Sequence, residues 1–251
     1  SANFIDTHDS GISRETGIVE VQLSTDKYID IAVGYHHSCG ILEDYQVRCW
    51  GGHPDYPNTI VPPKGSFFSI SASHNGNGTL DLKGGLQGWG DHSVAGENPK
   101  GVFLVIDLGA EHVCAIDSDQ HLTCWGLSVN SEKDYGQVSD TPSSGNFSQV
   151  SAGDTHTCAI NTEGELSCWG NNRNGQARPP DGAFLKVSSG YNHSCGITTD
   201  GDVKCWGGGD IYGEANPPKG GFFDVSAGTQ FTCGVEESRV LNCCGDDIGG
   251  L

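Results

Sequence analysis

The sequence predicts an all-β chain folded as a propeller of seven blades, or six, and three observations carry that prediction. A motif reading Gly-x-x-His-x-Cys, then Cys-Trp-Gly with its cysteine ten residues after the first, returns along the 251 residues. Its copies lie mostly 36–44 residues apart, the size of a blade made of about four short strands. Gly supplies 38 residues and Pro 10, enough to turn the chain after every short strand, while charged residues make up 18%, too few for a helical protein.

Taken in order, five copies are complete: Gly34 to Cys39 with Cys49-Trp50-Gly51, Gly109 to Cys114 with Cys124-Trp125-Gly126, Gly153 to Cys158 with Cys168-Trp169-Gly170, Gly190 to Cys195 with Cys205-Trp206-Gly207, and Gly228 to Cys233 with Cys243-Cys244-Gly245. A sixth, at 73–90, keeps Trp89 but carries Gly78 and Gly88 at the cysteine positions. A shorter seventh at 6–21 has Ser10 and Val21 there. The repeat cores thus fall near 6–21, 34–51, 73–90, 109–126, 153–170, 190–207 and 228–245, and the chain 1–251 reads as one propeller domain.

The cysteines of a copy are lost together, which predicts that they bond to each other within one blade: Cys39–Cys49, Cys114–Cys124, Cys158–Cys168, Cys195–Cys205 and Cys233–Cys243. Hairpin geometry gives the same pairing. With Cys158 opposite Cys168, Ala159 faces Ser167, Ile160 faces Leu166 and Asn161 faces Glu165. Thr162-Glu163-Gly164 remains as a three-residue loop, which favours glycine at its last, left-handed position. Each closed loop should contribute roughly 2–3 kcal/mol. Between copies, Pro62 to Phe67, Pro99 to Phe103, Pro179 to Phe184 and Pro217 to Phe222 share a Pro-x-Gly-x-Phe pattern, with one further proline in three of them. Proline cannot donate to a ladder, so these mark turns or an outer edge. An alternating strand such as Phe184-Leu-Lys-Val-Ser follows.

The consensus Val-Ser-Ala-Gly-x-x-His-x-Cys-Ala-Ile-x-x-x-Gly-x-Leu-x-Cys-Trp-Gly, followed by Asn-x-x-Gly-Gln, resembles the regulator-of-chromosome-condensation repeat. Residues 151–176 match best, and the resemblance covers roughly residues 5–247. The cysteines resemble those of a disulfide-bearing, secreted branch of the family. The resemblance implies a seven-bladed β-propeller and little about function. Family members include a nuclear exchange factor for a small GTPase that binds chromatin, a secreted bacterial inhibitor of β-lactamases, and ectodomains of crinkly-type plant receptor kinases.

Charge and cysteine usage narrow the choice. The net charge is −19 with no basic run, so nucleic acid would be repelled. That composition argues against the chromatin-binding role. The longest apolar run, Val102–Ile106, is far short of the roughly 20 residues a membrane span needs. Eleven cysteines without a C-x-x-C pair, no methionine, and sequons at Asn77, Asn146 and Asn192 predict a secreted, N-glycosylated extracellular protein whose signal peptide was removed before Ser1.

Four histidines (His37, His112, His156, His193), with His8 in the shorter copy, precede the first cysteine by two residues. They read as a repeated local hydrogen bond within each blade rather than a metal ring, which Gly76 and Phe231 would interrupt. Trp50, Trp89, Trp125, Trp169 and Trp206 read as packing between blades. Asp117/Asp119 and Asp200/Asp202 read as turn residues, and Asp246/Asp247 complete no calcium loop. No metal, cofactor or catalytic residue is expected, because no hydrolase, zincin or phosphate-loop motif occurs. Cys244 occupies the last tryptophan position and is left over by parity, as a free thiol, an intermolecular link or an alternative partner for Cys233.

The reading is a non-catalytic extracellular scaffold that binds a protein through variable loops, with contacts expected at His53, Tyr56, Tyr135 and Tyr212. Two alternatives remain: a self-assembling structural glycoprotein of a filament or matrix, joined through Cys244, and a secreted inhibitor or lectin-like binder.

Overall fold

The structure, a computed structural model, describes residues 26–74, 76–90, 99–126, 133–208, 212–217 and 220–245. Among them the chain forms six three-stranded antiparallel sheets and one 3-10 turn, Pro57–Ile60. Blade I holds β1 (Tyr28–Val33), β2 (His37–Leu42) and β3 (Val47–Gly51); blade II holds β4 (Phe67–Ala72), β5 (Gly76–Asp81) and β6 (Leu86–Gly90). Blade III holds β7 (Phe103–Leu108), β8 (Val113–Asp117) and β9 (Leu122–Trp125); blade IV holds β10 (Phe147–Ala152), β11 (His156–Asn161) and β12 (Leu166–Gly170). Blade V holds β13 (Phe184–Ser189), β14 (His193–Thr198) and β15 (Val203–Gly207); blade VI holds β16 (Phe222–Ala227), β17 (Phe231–Glu236) and β18 (Leu241–Gly245). The shorter copy predicted at 6–21 lies outside the described residues.

The blades have three strands where the repeat length suggested about four. The connector 171–183 gives the reason. Asn171 Oδ1 accepts from the Arg173 N–H (3.1 Å) and Asn172 Oδ1 from the Ala177 N–H (3.2 Å), folding the segment into turns. Pro179 and Pro180 then offer no N–H to a ladder. In this connector the fourth-strand slot is filled by a turn.

Hairpin register follows the loop chemistry. Cys158 pairs with Cys168, Ala159 with Ser167 and Ile160 with Leu166. Gly164 and Gly201 take the left-handed turn position with φ of 86° and 85°. Five disulfides join directly opposed cysteines, Cys39–Cys49, Cys114–Cys124, Cys158–Cys168, Cys195–Cys205 and Cys233–Cys243. Gly78 opposes Gly88 in blade II.

The first strand of each blade packs on the first strand of the next, from β1 on β4 through to β13 on β16. A register shift after the first residue of every such strand sends Phe67, Phe103, Phe147, Phe184 and Phe222 into the core. Side chains on these strands tie blade to blade. Asp30 Oδ2 accepts from the Ile70 N–H (3.0 Å), Ser151 Oγ from the Ser189 N–H (2.9 Å) and Ser188 Oγ from the Ala227 N–H (2.9 Å). Asp107 joins three blades, accepting from Ser71 Oγ (2.8 Å) and the Ala152 N–H (2.9 Å). Burial pushes its carboxyl above the usual carboxylate value, opposed by those hydrogen bonds.

Candidate functional site

One end of the blades carries the uniform β-hairpin turns. The other carries the Gly-x-x-His turns and the connectors that leave each third strand, and its residues differ from copy to copy. That connector face is built on a hydrogen-bond relay running from each blade into the next.

His112 Nε2 lies 2.8 Å from Thr157 Oγ1, His156 Nε2 2.8 Å from Ser194 Oγ, and His193 Nε2 2.8 Å from Thr232 Oγ1. His37 Nε2 is 2.8 Å from Asn77 Oδ1. Each bond crosses to the following blade, which corrects the expectation of a bond within one blade. The acceptors pass the relay on to a buried connector carbonyl: Thr157 donates to Gln137 O (3.5 Å), Ser194 to Gln176 O (3.3 Å), Thr232 to Glu214 O (2.9 Å) and Asn77 Nδ2 to Thr59 O (2.9 Å). Because each hydroxyl spends its proton on that carbonyl, it accepts from Nε2–H, which sets the histidine tautomer. Tryptophan closes the relay on the same carbonyls: Trp89 Nε1 donates to Thr59 O (3.0 Å), Trp169 to Gln137 O (3.1 Å) and Trp206 to Gln176 O (2.9 Å).

Burial lowers the pKa of all four histidines, to about 4 at His112 and about 3 at His156. Their Nε2 atoms are committed to the next blade, so they do not converge on an ion. Glycine at the head of each motif is required by close approach. A Cβ on Gly153 would lie 2.6 Å from Gly190 O and 2.5 Å from His156 Cε1, and one on Gly190 2.3 Å from Gly228 O.

The relay fixes the loops. The Gln137 Oε1 atom accepts from the Tyr135 N–H (2.7 Å), Gln176 Oε1 from the Asn174 N–H (2.9 Å), and Glu214 Oε2 from the Tyr212 N–H (3.1 Å). The glycine between each pair has positive φ: 102° at Gly136, 84° at Gly175 and 74° at Gly213. In the first connector Thr59 Oγ1 donates to Tyr56 O at 2.8 Å. Each buried anchor therefore holds an outward residue, and Tyr56, Tyr135 and Tyr212 are three of them. The sequence reading gave no role to the anchors Thr59, Gln137, Gln176 and Glu214; it noted Gln176 only as the end of Asn-x-x-Gly-Gln, although Gly-Gln or Gly-Glu recurs at the last three.

His53 and Tyr56 belong to a patch of rings at blades I and II. Centroids lie 5.8 Å apart for His53–Tyr56, 4.8 Å for His36–His53, 4.5 Å for Tyr35–His36 and 5.1 Å for Tyr35–His74. His74 reaches across to Asp154 in blade IV at 3.9 Å. Burial raises the Asp154 pKa, against the pull of His74 and with that of Glu111. Arg173 lies over the Tyr135 ring, 5.4 Å from its centroid. Tyr212 lines a depression of about 190 Å3 with Tyr191. His53, Tyr56, Tyr135 and Tyr212 thus share one face at three separate stations.

Other predicted positions sort differently. Asp117, Asp119 and His121 form the one group of potential metal ligands among the described residues. Asp117 Oδ1 already accepts from the Asp119 (2.8 Å) and His121 (2.9 Å) N–H groups. Asn161 does the same with Glu163 and Glu165, so the arrangement is a repeated turn cap. Asp200 and Asp202 sit in the hairpin turn of blade V, and Asp246 and Asp247 lie outside the described residues. Cys244 is a free, half-buried thiol whose Sγ lies 3.8 Å from Glu214 O, in the tryptophan position of the relay. Burial raises its pKa.

The sequon at Asn77 is corrected: its side chain is fully buried and both polar atoms are hydrogen-bonded, leaving no room for a glycan. Asn146 is exposed and Asn192 half-buried.

The fold and the relay define a β-propeller assembled from one repeated blade. The segments at residues 28–55, 147–176 and 184–214, which contain blades I, IV and V, match the family described as the regulator of chromosome condensation (RCC1) repeat. Among solved structures it is similar to the crinkly WD40 ectodomain of the Arabidopsis thaliana receptor kinase ACR4, at 27% identity and a TM-score of 0.73, covering 90% of this chain and 81% of that one. It is also similar to the entire ectodomain of the Physcomitrella patens receptor kinase CR4, at 26% identity and a TM-score of 0.72 over 85% of this chain, and spans 60% of that ectodomain. Yeast RCC1 (Prp20), solved bound to Kap60, shares the fold at 15% identity and a TM-score of 0.69, covering 86% of this chain and 69% of that one. Among the described residues no helix is long and apolar enough to cross a membrane.

Proposed function

We propose that the chain forms a single propeller domain and serves as a non-catalytic extracellular scaffold, binding a protein partner through its connector face. The observation that carries this reading is the division of labour between the two ends of the blades. Hairpin turns keep one length and one backbone conformation, with φ of 67–86° at Tyr45, Gly84, Gln120, Gly164, Gly201 and Arg239, whereas the connectors, held by a uniform buried relay, differ in length and each present different aromatic and charged side chains. Tyrosine and arginine on a rigid base suit an interaction surface. Five disulfides and the likeness to receptor ectodomains support an oxidising, extracellular setting. Asn146, exposed on the surface, is the glycan acceptor that this setting would use, whereas Asn192 is half-buried and lines the depression beside Tyr191 and Tyr212. The strongly shifted groups His112, His156 and Asp107 are spent on bonds between blades, which supports a non-catalytic role.

The test places a photo-crosslinking residue at Tyr56, Tyr135 or Tyr212, and at Lys83 or Glu163 on the hairpin end as controls. Discrete adducts from the connector positions alone are expected in fluid or matrix from the native source. Adducts from the hairpin end alone would overturn the assignment. Light-scattering mass with and without reductant separates the alternative: a polymer loosened by reductant would make this a structural protein joined through Cys244. The inward-facing thiol and its raised pKa favour the discrete scaffold.

A further inference from the structure

We infer that the depression between Tyr191 and Tyr212, floored by Glu214, receives one cationic side-chain end, the guanidinium or ammonium of an arginine or lysine on the bound partner. The inference rests on the connector face being the partner-binding face and names what this station of it recognises.

Three connectors share one geometry but differ in one atom. In the connector between blades III and IV the anchor Gln137 accepts a backbone N–H with Oε1 and donates from Nε2 to Lys133 O at 2.8 Å. Glu214 repeats the first bond with Oε2 but has a second carboxylate oxygen where glutamine carries its donor. The side chain stays deep, at 6% exposure. None of the ion pairs among the described residues involves Glu214. His193 is electrostatically coupled to Glu214, but burial outweighs that pull and lowers the histidine's pKa; with no ion pair to Glu214 among the described residues, the carboxylate calls for a counter-charge from outside.

The surroundings fit a cation. Two tyrosine rings stand at the rim, each 44% exposed, and Asn174, Thr229 and Gln230 offer oxygen acceptors for the remaining N–H groups. Next door the chain already uses this chemistry internally, with Arg173 over Tyr135. The volume, about 190 Å3, is below the roughly 300–1,000 Å3 of pockets that enclose a whole small molecule, and suits one side-chain end. A net charge of −19 draws basic partners to the surface, and the depression gives that attraction an address.

The probe is N-acetyl-arginine methylamide, titrated into isotopically labelled, unglycosylated, disulfide-bonded protein and followed by amide shifts. Its citrulline counterpart serves as the neutral isostere. Saturable shifts at Tyr212, Thr229 and Gln230 are expected with arginine and not with citrulline. Glu214→Gln should weaken them at least fivefold while keeping the fold, since the connectors leading into blades IV and V carry glutamine (Gln137, Gln176) at this position. Equal shifts with citrulline, an unchanged response in Glu214→Gln, or arginine shifts spread equally over the hairpin end around Lys83 would each overturn the inference. Loss of partner crosslinking on Tyr56→Ala and Tyr135→Ala but not on Glu214→Gln would retain the face and discard the cation site. Arginine binding with no partner at any connector position would do the reverse.

Discussion

The junction between blades IV and V and the junction between blades II and III join the same strands by different chemistry. At the first, the Cys158–Cys168 disulfide packs with Phe184, Val187 and Trp206 of blade V, and His156 bonds across to Ser194. At the second, Gly78 faces Gly88 in place of a disulfide and Gly76 stands at the histidine position. Gly78 and Gly88 leave space that Leu108 and Ile106 fill, so a Cβ on Gly78 would lie 2.8 Å from Ile106 Cδ1 and 3.0 Å from Leu108 Cδ1. Phe103, Ile106, Leu108, Val113 and Leu80 make an apolar cluster there. Where a disulfide precedes, the residue at the position of Leu108 is Ala72, Ala152, Ser189 or Ala227. Volume at the junction is conserved within the chain while the means of filling it is not.

Acid should separate the two junctions most. His112 and His156 have native values near 4 and 3 against an ordinary 6.5. Below pH 6.5 the unfolded chain takes up protons that the native chain refuses, so their contribution to stability is lost as pH falls through 6.5 towards 4 and 3. Between pH 7 and pH 5 this amounts to about 2 kcal/mol for each of the two. Asp107, raised by burial at the II–III junction, acts with the opposite sign, since the native chain protonates it first. Hydrogen-exchange protection factors should therefore fall in β11 and β14, and in β8, which His112 immediately precedes and ties to Thr157 of blade IV, and hold in β4 and β5. His156→Gln should reduce the dependence, because glutamine can still donate to Ser194. Equal losses at both junctions would break the comparison.

Exchanging the two fillings comes next in size. Leu108→Ala should cost about 2–5 kcal/mol by opening a cavity, read from the shift of the denaturant midpoint. Adding Gly78→Cys and Gly88→Cys to the unmodified chain should not stabilise it, because the new side chain meets Ile106 and Leu108. The triple variant with Leu108→Ala reproduces the other junctions and should recover about 2–3 kcal/mol through the new disulfide. Independent effects of Leu108→Ala and the two cysteines would show that the volume exchange is not real.

The repeats made the hairpins legible, and for a local reason. A three-residue loop ending in Gly164 fixes the register of its strands, and simultaneous loss of two cysteines identifies a pair. Bonds between blades were not legible, because a bond to one's own blade and a bond to the next recur with the same period. Asn77 shows the consequence. Its triplet reads as a glycan acceptor, yet the side chain replaces Thr157, Ser194 and Thr232 in the relay and is buried. The tyrosines of the connector face were visible as aromatic loop residues. The anchors beneath them were hidden because a buried Gln or Glu in a turn reads as an exposed one.

The smallest difference lies in two tryptophans. Trp169 donates to Gln137 O, whereas the buried Trp125 Nε1, beside the II–III junction, has no hydrogen-bond partner among the described residues. Replacing each by phenylalanine removes similar apolar area but different polar bonding. Trp169→Phe should also strip one partner from a buried carbonyl, adding about 1 kcal/mol to the packing loss. Trp125→Phe relieves an unsatisfied donor and should cost less by that amount or more. Equal midpoint shifts for the two variants would mean that the connector carbonyl draws its stability from Thr157 alone. The tryptophan would then act in the relay as bulk and not as a donor.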